Sequence, residues 1–153
     1  MELKVYQHTF LFRQGLWTAR GVYYDAAGHR FPTEGQSLIT HQPDVWIADG
    51  TLKILADQPH EFRNRYEITP FAPGADTTVW RSFNPDLESL HGRYVIVEDS
   101  IISPWRSDSG RFWGTEFLVQ VSPAEYRGRG FLYQEETKMS SWAVQLVLTQ
   151  NSR

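Results

Sequence analysis

"RGRGFLYQEE", residues 127–136, separates by parity: Arg127, Arg129, Phe131 and Tyr133 share one face of an extended chain, and Gly128, Gly130, Leu132 and Gln134 share the other. The neighbouring segments alternate in the same way. Upstream, "RFWGTEFLVQV" sets Trp113, Thr115, Phe117, Val119 and Val121 against Glu116 and Gln120. Downstream, "SSWAVQLVLTQ" collects Trp142, Val144, Leu146 and Leu148 on one side. Successive period-two segments parted by turn residues such as "SPAE" describe an antiparallel meander. Whether the arginine face looks into a cavity or into water decides what kind of ligand such a meander would hold.

The pattern extends back to Leu16. "LWTARGVYYD" runs to "AAGH", and "RFPTEGQSLITH" runs to "QPD". "VWIA" and "TLKIL" flank Asp49-Gly50, a pair that predicts a tight two-residue hairpin. "HEFRNRYEITPF" sets Phe62, Asn64, Tyr66 and Ile68 against Glu61, Arg63, Arg65 and Glu67, one face mostly apolar and the other charged. "TTVWRSF" precedes "NPDLES", where a turn or a single helical turn is expected after Asn84, and "GRYVIVEDSIISPW" then reaches "SDSG". The count is about nine or ten strands, with no repeat period and no helical pattern of comparable strength. A sheet of that many consecutive strands curls, and closure removes the edges that invite aggregation. The predicted fold class is therefore all-β: one antiparallel up-and-down barrel over residues 16–150, with residues 1–15 plugging one end, in a single domain spanning 1–153.

Composition narrows the function classes. The chain has 153 residues, a net charge of -3 and no cysteine, which removes disulfides and thiolate chemistry. Its arginines are scattered among acids, so nucleic acid is not an expected partner. No apolar run approaches the roughly 20 residues of a membrane-spanning helix, and the first residues lack the pattern of a signal peptide, so a cytoplasmic location is expected. Six tryptophans within an aromatic content of 14% fit strands and a ligand-lined interior.

Gly15-Leu16-Trp17 matches the Gly-x-Trp signature that opens the first strand of lipocalins. Placed ahead of a meander covering most of the chain, it resembles the calycin group of barrels, which includes lipocalins, fatty-acid-binding proteins and nitrobindin-like proteins. The resemblance implies that Trp17 packs across the closed end, with an arginine from late in the chain over its ring. Secreted lipocalins usually carry a disulfide, and fatty-acid-binding proteins insert a helical pair where this chain has only "AAGH". The match is to the superfamily and to no subfamily. Bilin-handling lyases of photosynthetic microbes share the barrel, without a motif here that singles them out. Fatty-acid-binding proteins hold a ligand carboxylate with an arginine and a tyrosine on a late strand, a role the resemblance extends to Arg129 and Tyr133.

The expected cavity or core residues are Trp80, Trp113, Phe117 and Trp142, with Arg129 and Tyr133 as a polar anchor. The alternative for the arginines is a solvated outer face, and for the aromatics a packed core. Inward glycines at 128 and 130 would leave room beside Trp113 and Trp142 for a flat guest. Arg20 and Arg81 could each supply an inward charge but read as surface charges paired with Glu116 or Glu98, and the "EDS" at 98–100 invites a catalytic reading that no nearby histidine in the sequence supports. The five histidines form no close pair, so no metal and no cofactor is expected; a nitrobindin-like haem would need an inward His91. The function expected is binding of a small, largely apolar or amphipathic ligand, anionic groups included. The alternatives are an isomerase, lyase or cyclase using Glu116 or Glu98 with an arginine in the same cavity, and an interaction module with a filled barrel. The sequence assigns no catalytic residue and no oligomeric state.

Overall fold

The computed structural model describes residues 7–84 and 87–151. Ten strands follow one another: β1 (Gly15–Tyr24), β2 (Arg30–His41), β3 (Trp46–Ile54), β4 (His60–Ile68), β5 (Thr77–Phe83), β6 (Ser89–Val97), β7 (Ser100–Ser107), β8 (Phe112–Ser122), β9 (Glu125–Gln134) and β10 (Thr137–Asn151). Each pairs antiparallel with its sequence neighbours, and β10 returns to β1 with Gly21 opposite Val144 and Tyr23 opposite Trp142. The closed up-and-down barrel expected from the meander is the fold of the chain. Closure leaves no strand edge to be covered.

Two local expectations fail, each for a readable reason. Asp49-Gly50 is not a hairpin; it lies within β3, where Gly50 pairs with Ser37 on one side and Asn64 on the other. A type I′ turn needs φ above zero at both central residues, and the glycines in that region are Gly28, Gly74 and Gly110, all outside the strands. Inward parity runs unbroken through Trp46, Ala48, Gly50, Leu52 and Ile54, which only a continuous strand allows. Conversely, "GRYVIVEDSIISPW" is two strands, β6 and β7, with the reversal at Glu98 (φ 53°) and Asp99. The turn expected after Asn84 falls on Pro85 and Asp86, outside the described residues, as does Met1–Tyr6 of the plug segment.

The core sits at one end of the barrel. Trp17 from β1, Ile39 from β2, Ile68 from β4, Ile101 from β7 and Tyr126 from β9 are almost wholly buried there. Residues 10–13 form a turn ahead of β1 that inserts Phe10 and Leu11 against them. Phe10 meets Trp17 edge-on at 5.4 Å and Tyr126 meets it edge-on at 5.6 Å, so two aromatic rings take the place of the arginine that the resemblance implied. Polar ties hold the segment down. Tyr126 Oη accepts from the Thr9 amide (3.1 Å) and lies 2.7 Å from His8 Nδ1, while Thr9 Oγ1 donates to the Pro123 carbonyl (2.7 Å). On the far side, His41 stacks on Trp46 and its Nε2 donates to the Leu11 carbonyl (2.7 Å). The opposite end is ringed by the turns after β1, β3, β5, β7 and β9 and carries no such cap among the described residues.

Candidate functional site

Cross-strand register settles which face of each strand looks inward. Val144 is buried and pairs with Gly21 and Gly128; Gly128 pairs with Leu118, also buried. The inward set on β8 to β10 is therefore Gly114, Glu116 and Leu118, then Tyr126, Gly128, Gly130 and Leu132, then Trp142, Val144, Leu146 and Leu148. Arg127, Arg129, Phe131 and Tyr133 point out, as do Trp113 and Phe117. The cavity orientation expected for Trp113, Phe117, Arg129 and Tyr133 is thus reversed, whereas Trp80 and Trp142 face inward as expected.

The reversal has a packing cause. Three indoles lie flat against the inner wall, each over a glycine of the adjacent strand: Trp80 over Gly92, Trp105 over Gly114 and Trp142 over Gly130. A Cβ on Gly92 would stand 2.5 Å from Cε2 and Cζ2 of Trp80, and one on Gly114 would stand 2.8 Å from Cζ2 of Trp105. Glycine at these inward positions lets a large ring fold sideways along the wall instead of filling the barrel axis.

Between these indoles and the uncapped end, several inward side chains are only partly buried. Tyr66, Trp105, Glu116 and Trp142 all point inward, and Tyr66 and Glu116 are enclosed by the barrel wall, yet all four keep part of their surface accessible. Side chains that are both enclosed and accessible line a space. Tyr23 and Phe62 face each other at its mouth with ring centroids 6.2 Å apart. Tyr66 stands edge-on to Trp80 at 4.9 Å, and Trp80 lies 6.1 Å from Tyr94.

Glu116 supplies the chemistry of this space. No Lys or Arg among the described strand residues points inward with it, and among the described residues no ion pair within 4.0 Å joins its carboxylate to a cation. Burial pushes its pKa above the ordinary 4.5, against the opposing pull of the Trp142 Nε1–H, which donates to Oε2 at 3.2 Å. Burial likewise raises the hydroxyls of Tyr66 and Tyr94, with the Glu116 charge adding to both. Beside Glu116 on the register is Ser103, whose Oγ accepts from Trp80 Nε1 at 2.9 Å. Indole faces, two tyrosine hydroxyls and one carboxyl whose pKa burial raises can stack a flat guest and exchange a proton or hydrogen bond with it. Sequence reasoning named Glu116 in two ways, as an outer-surface partner for an arginine and as a cavity acid in the catalytic alternative, without a parity argument to choose between them. The signal that marks it as inward is its parity with Gly114 and Leu118.

The other candidates lie outside. Arg129 Nη1 donates to the carbonyl of Gly128 (2.8 Å) on the outer wall. Trp113 stacks on Tyr133 at 4.7 Å and donates from Nε1 to the Glu135 carbonyl (2.9 Å), and together with Phe117 and Arg129 these residues line a shallow outer groove. Arg20 and Arg81 are exposed, in keeping with their reading as surface charges. His91 is exposed beside Asp108 at 3.3 Å and does not reach the interior. Glu98 and Asp99 form the β6–β7 turn. Among the described residues no group of three potential ligands that could hold a metal ion comes together.

Comparison with solved structures gives a likeness over nearly the whole barrel. The S-type phycobiliprotein lyase CPES from Guillardia theta superposes with a TM-score of 0.64 at 9% identity, covering 94% of this chain and 92% of that one. Neisserial surface protein A aligns with a TM-score of 0.37 at 13% identity over 88% of this chain and 94% of that one. No protein-family model matches the sequence, and no curated protein does. The first likeness shows a shared closed antiparallel barrel fold.

Proposed function

We propose that the barrel interior binds a small, flat, largely apolar ligand that enters at the end opposite Trp17 and sets an N–H or cationic group against Glu116. The protein acts by this reading as a cytoplasmic ligand-binding barrel. The observation that carries it is Glu116, partly accessible as a residue and enclosed among indole faces, because an enclosed acid without a cation favours a further donor. An anionic ligand fits poorly, since the arginines of the strands point away from the space. The likeness in fold to a phycobiliprotein lyase supports a small-molecule role for the same interior.

One feature favours a catalytic variant of this reading. A carboxyl whose pKa burial has raised keeps its proton nearer neutrality and can deliver it to a bound substrate, which suits a lyase or isomerase step with Glu116 as general acid. Binding and catalysis separate in the product: a bound ligand returns unchanged from the first and altered from the second.

The test is native mass spectrometry of protein purified from its own cells, followed by titration with auramine O, a flat cationic dye, and with anilinonaphthalene sulfonate, an anionic one. The cationic dye should bind with quenching of tryptophan emission, and Glu116→Gln should weaken it by about tenfold above neutral pH, the loss of one enclosed charged contact. Arg129→Ala should leave that affinity unchanged. Preference for the sulfonate, or equal affinity of parent and Glu116→Gln, removes the interior-acid reading.

A further inference from the structure

A second concavity lies on the outer wall, across β4 to β8, on the far side of the sheet from the interior space. Its floor is a cross-strand row: Glu67 pairs with Arg81, Arg81 with His91, His91 with Arg106, and Arg106 with Trp113. Arg93 lies two residues along β6 from His91, opposite Val79. Arg81, Arg93 and Arg106 are exposed, and among the described residues none of them makes an ion pair within 4.0 Å. His91 is engaged by Asp108 instead. Neighbouring like charges on one sheet face oppose folding, so three unpaired arginines gathered around one groove on a chain of net charge -3 call for an anion from outside.

We propose that this groove docks an acidic, extended segment of a partner protein, its carboxylates held by Arg81, Arg93 and Arg106 and an apolar residue seated on Trp113. Guanidinium offers a planar two-donor fork to each carboxylate. Val79 and Pro104 give the groove apolar walls between the arginines, and Trp113, 37% exposed, leads on to the outer aromatic cluster with Phe117 and Tyr133. The closed barrel has no free strand edge, so recognition rests on side chains and not on strand addition. Asp44 and Glu67 stand at one end of the groove and repel a continuous run of phosphates, which disfavours nucleic acid. Its concave shape disfavours a planar membrane surface.

The proposal is tested by fluorescence anisotropy of the full chain with a labelled peptide of alternating glutamate and leucine ending in phenylalanine, at low and physiological salt. The parent should bind it, more weakly as salt rises, and Arg93→Glu and Arg106→Glu should each weaken binding by about tenfold or more. The same two variants should melt at or above the parent's temperature, because each relieves repulsion, a readout that a structural role for these arginines would move the other way. The inference is overturned by a lysine–leucine peptide binding equally well, by no salt-sensitive binding of the acidic one, or by a fall in melting temperature in both variants. It is equally overturned by stronger binding to single-stranded DNA or phosphatidylserine vesicles, or by self-association that the substitutions abolish.

Discussion

Gly92→Ala tests the packing on which the interior space depends. The new Cβ would lie 2.5 Å from Cε2 and Cζ2 of Trp80 and 2.8 Å from the Pro104 carbonyl oxygen, where ordinary contact begins at 3.4 Å. The indole must therefore retreat by 3.4 − 2.5 = 0.9 Å, and the carbonyl side blocks escape by moving the strand. Trp80 is 4% exposed, edge-on to Tyr66, and its Nε1 is bonded to Ser103 at 2.9 Å. Overpacking of this kind costs about 1–3 kcal/mol, and a buried donor pulled off its acceptor adds a comparable amount. Replacing glycine returns about 0.4–1 kcal/mol through the unfolded chain. The net loss should be about 1–5 kcal/mol, or about 2–20 °C in Tm for a domain this size. Gly50→Ala is the internal control. It is also an inward strand glycine, but its nearest neighbours would be carbonyl oxygens at 3.6 and 3.8 Å. Urea melts followed by circular dichroism should show Gly92→Ala destabilised with m unchanged and Gly50→Ala equal to or above the parent. If the two variants agree within about 0.5 kcal/mol, the indoles are not held against the wall by glycine, and the argument for an open interior fails with them.

Two further outcomes follow from the packing and burial of Trp17 and Glu116. Trp17→Ala should cost about 3–5 kcal/mol in urea melts, as a fully buried large-to-small change does; its Nε1 has no buried partner, so Trp17→Phe should cost much less, and near-equal losses would refute the packing role. Glu116 has a folded pKa raised above its ordinary 4.5, so the stability it contributes is present below that value and is lost as pH rises through the folded pKa. Glu116→Gln should therefore gain stability over the parent on going from acid to mildly alkaline pH in paired thermal melts, and a constant difference across that range would show that Glu116 is solvated.

The fold was legible because alternation is a two-valued signal repeated ten times. β2 and β5 end at the residues the pattern indicated, and β4 and β10 carry their apolar faces inward as read. Asp49-Gly50 misled because a dipeptide that is common in tight turns was given more weight than the parity running through it. The split of β6 from β7 was hidden for the opposite reason: a reversal made by Glu98 in the left-handed region carries no glycine or proline to announce it. Trp17 was readable from position alone, but its partners Phe10 and Tyr126 come from segments more than 100 residues apart, and no local pattern joins them.

The site was lost at a single binary choice, and the reason is physical. On β8 and β9 one face offers Trp113, Phe117, Phe131 and Tyr133, the other glycine, glutamate and leucine, and burial of the larger apolar face is the usual outcome. A barrel interior has limited cross-section, however, and β5, β7 and β10 already supply three indoles to it. Each indole needs a shallow position across the strand to lie in, which Gly92, Gly114 and Gly130 provide. The face of β8 and β9 that carries the glycines must then turn inward, taking Glu116 with it, and the bulky aromatics are driven outside, where they stack on one another. Small residues opposite large ones, counted across strands and not along one, are what orient these walls; the acid enters the interior as a consequence of where the tryptophans must lie.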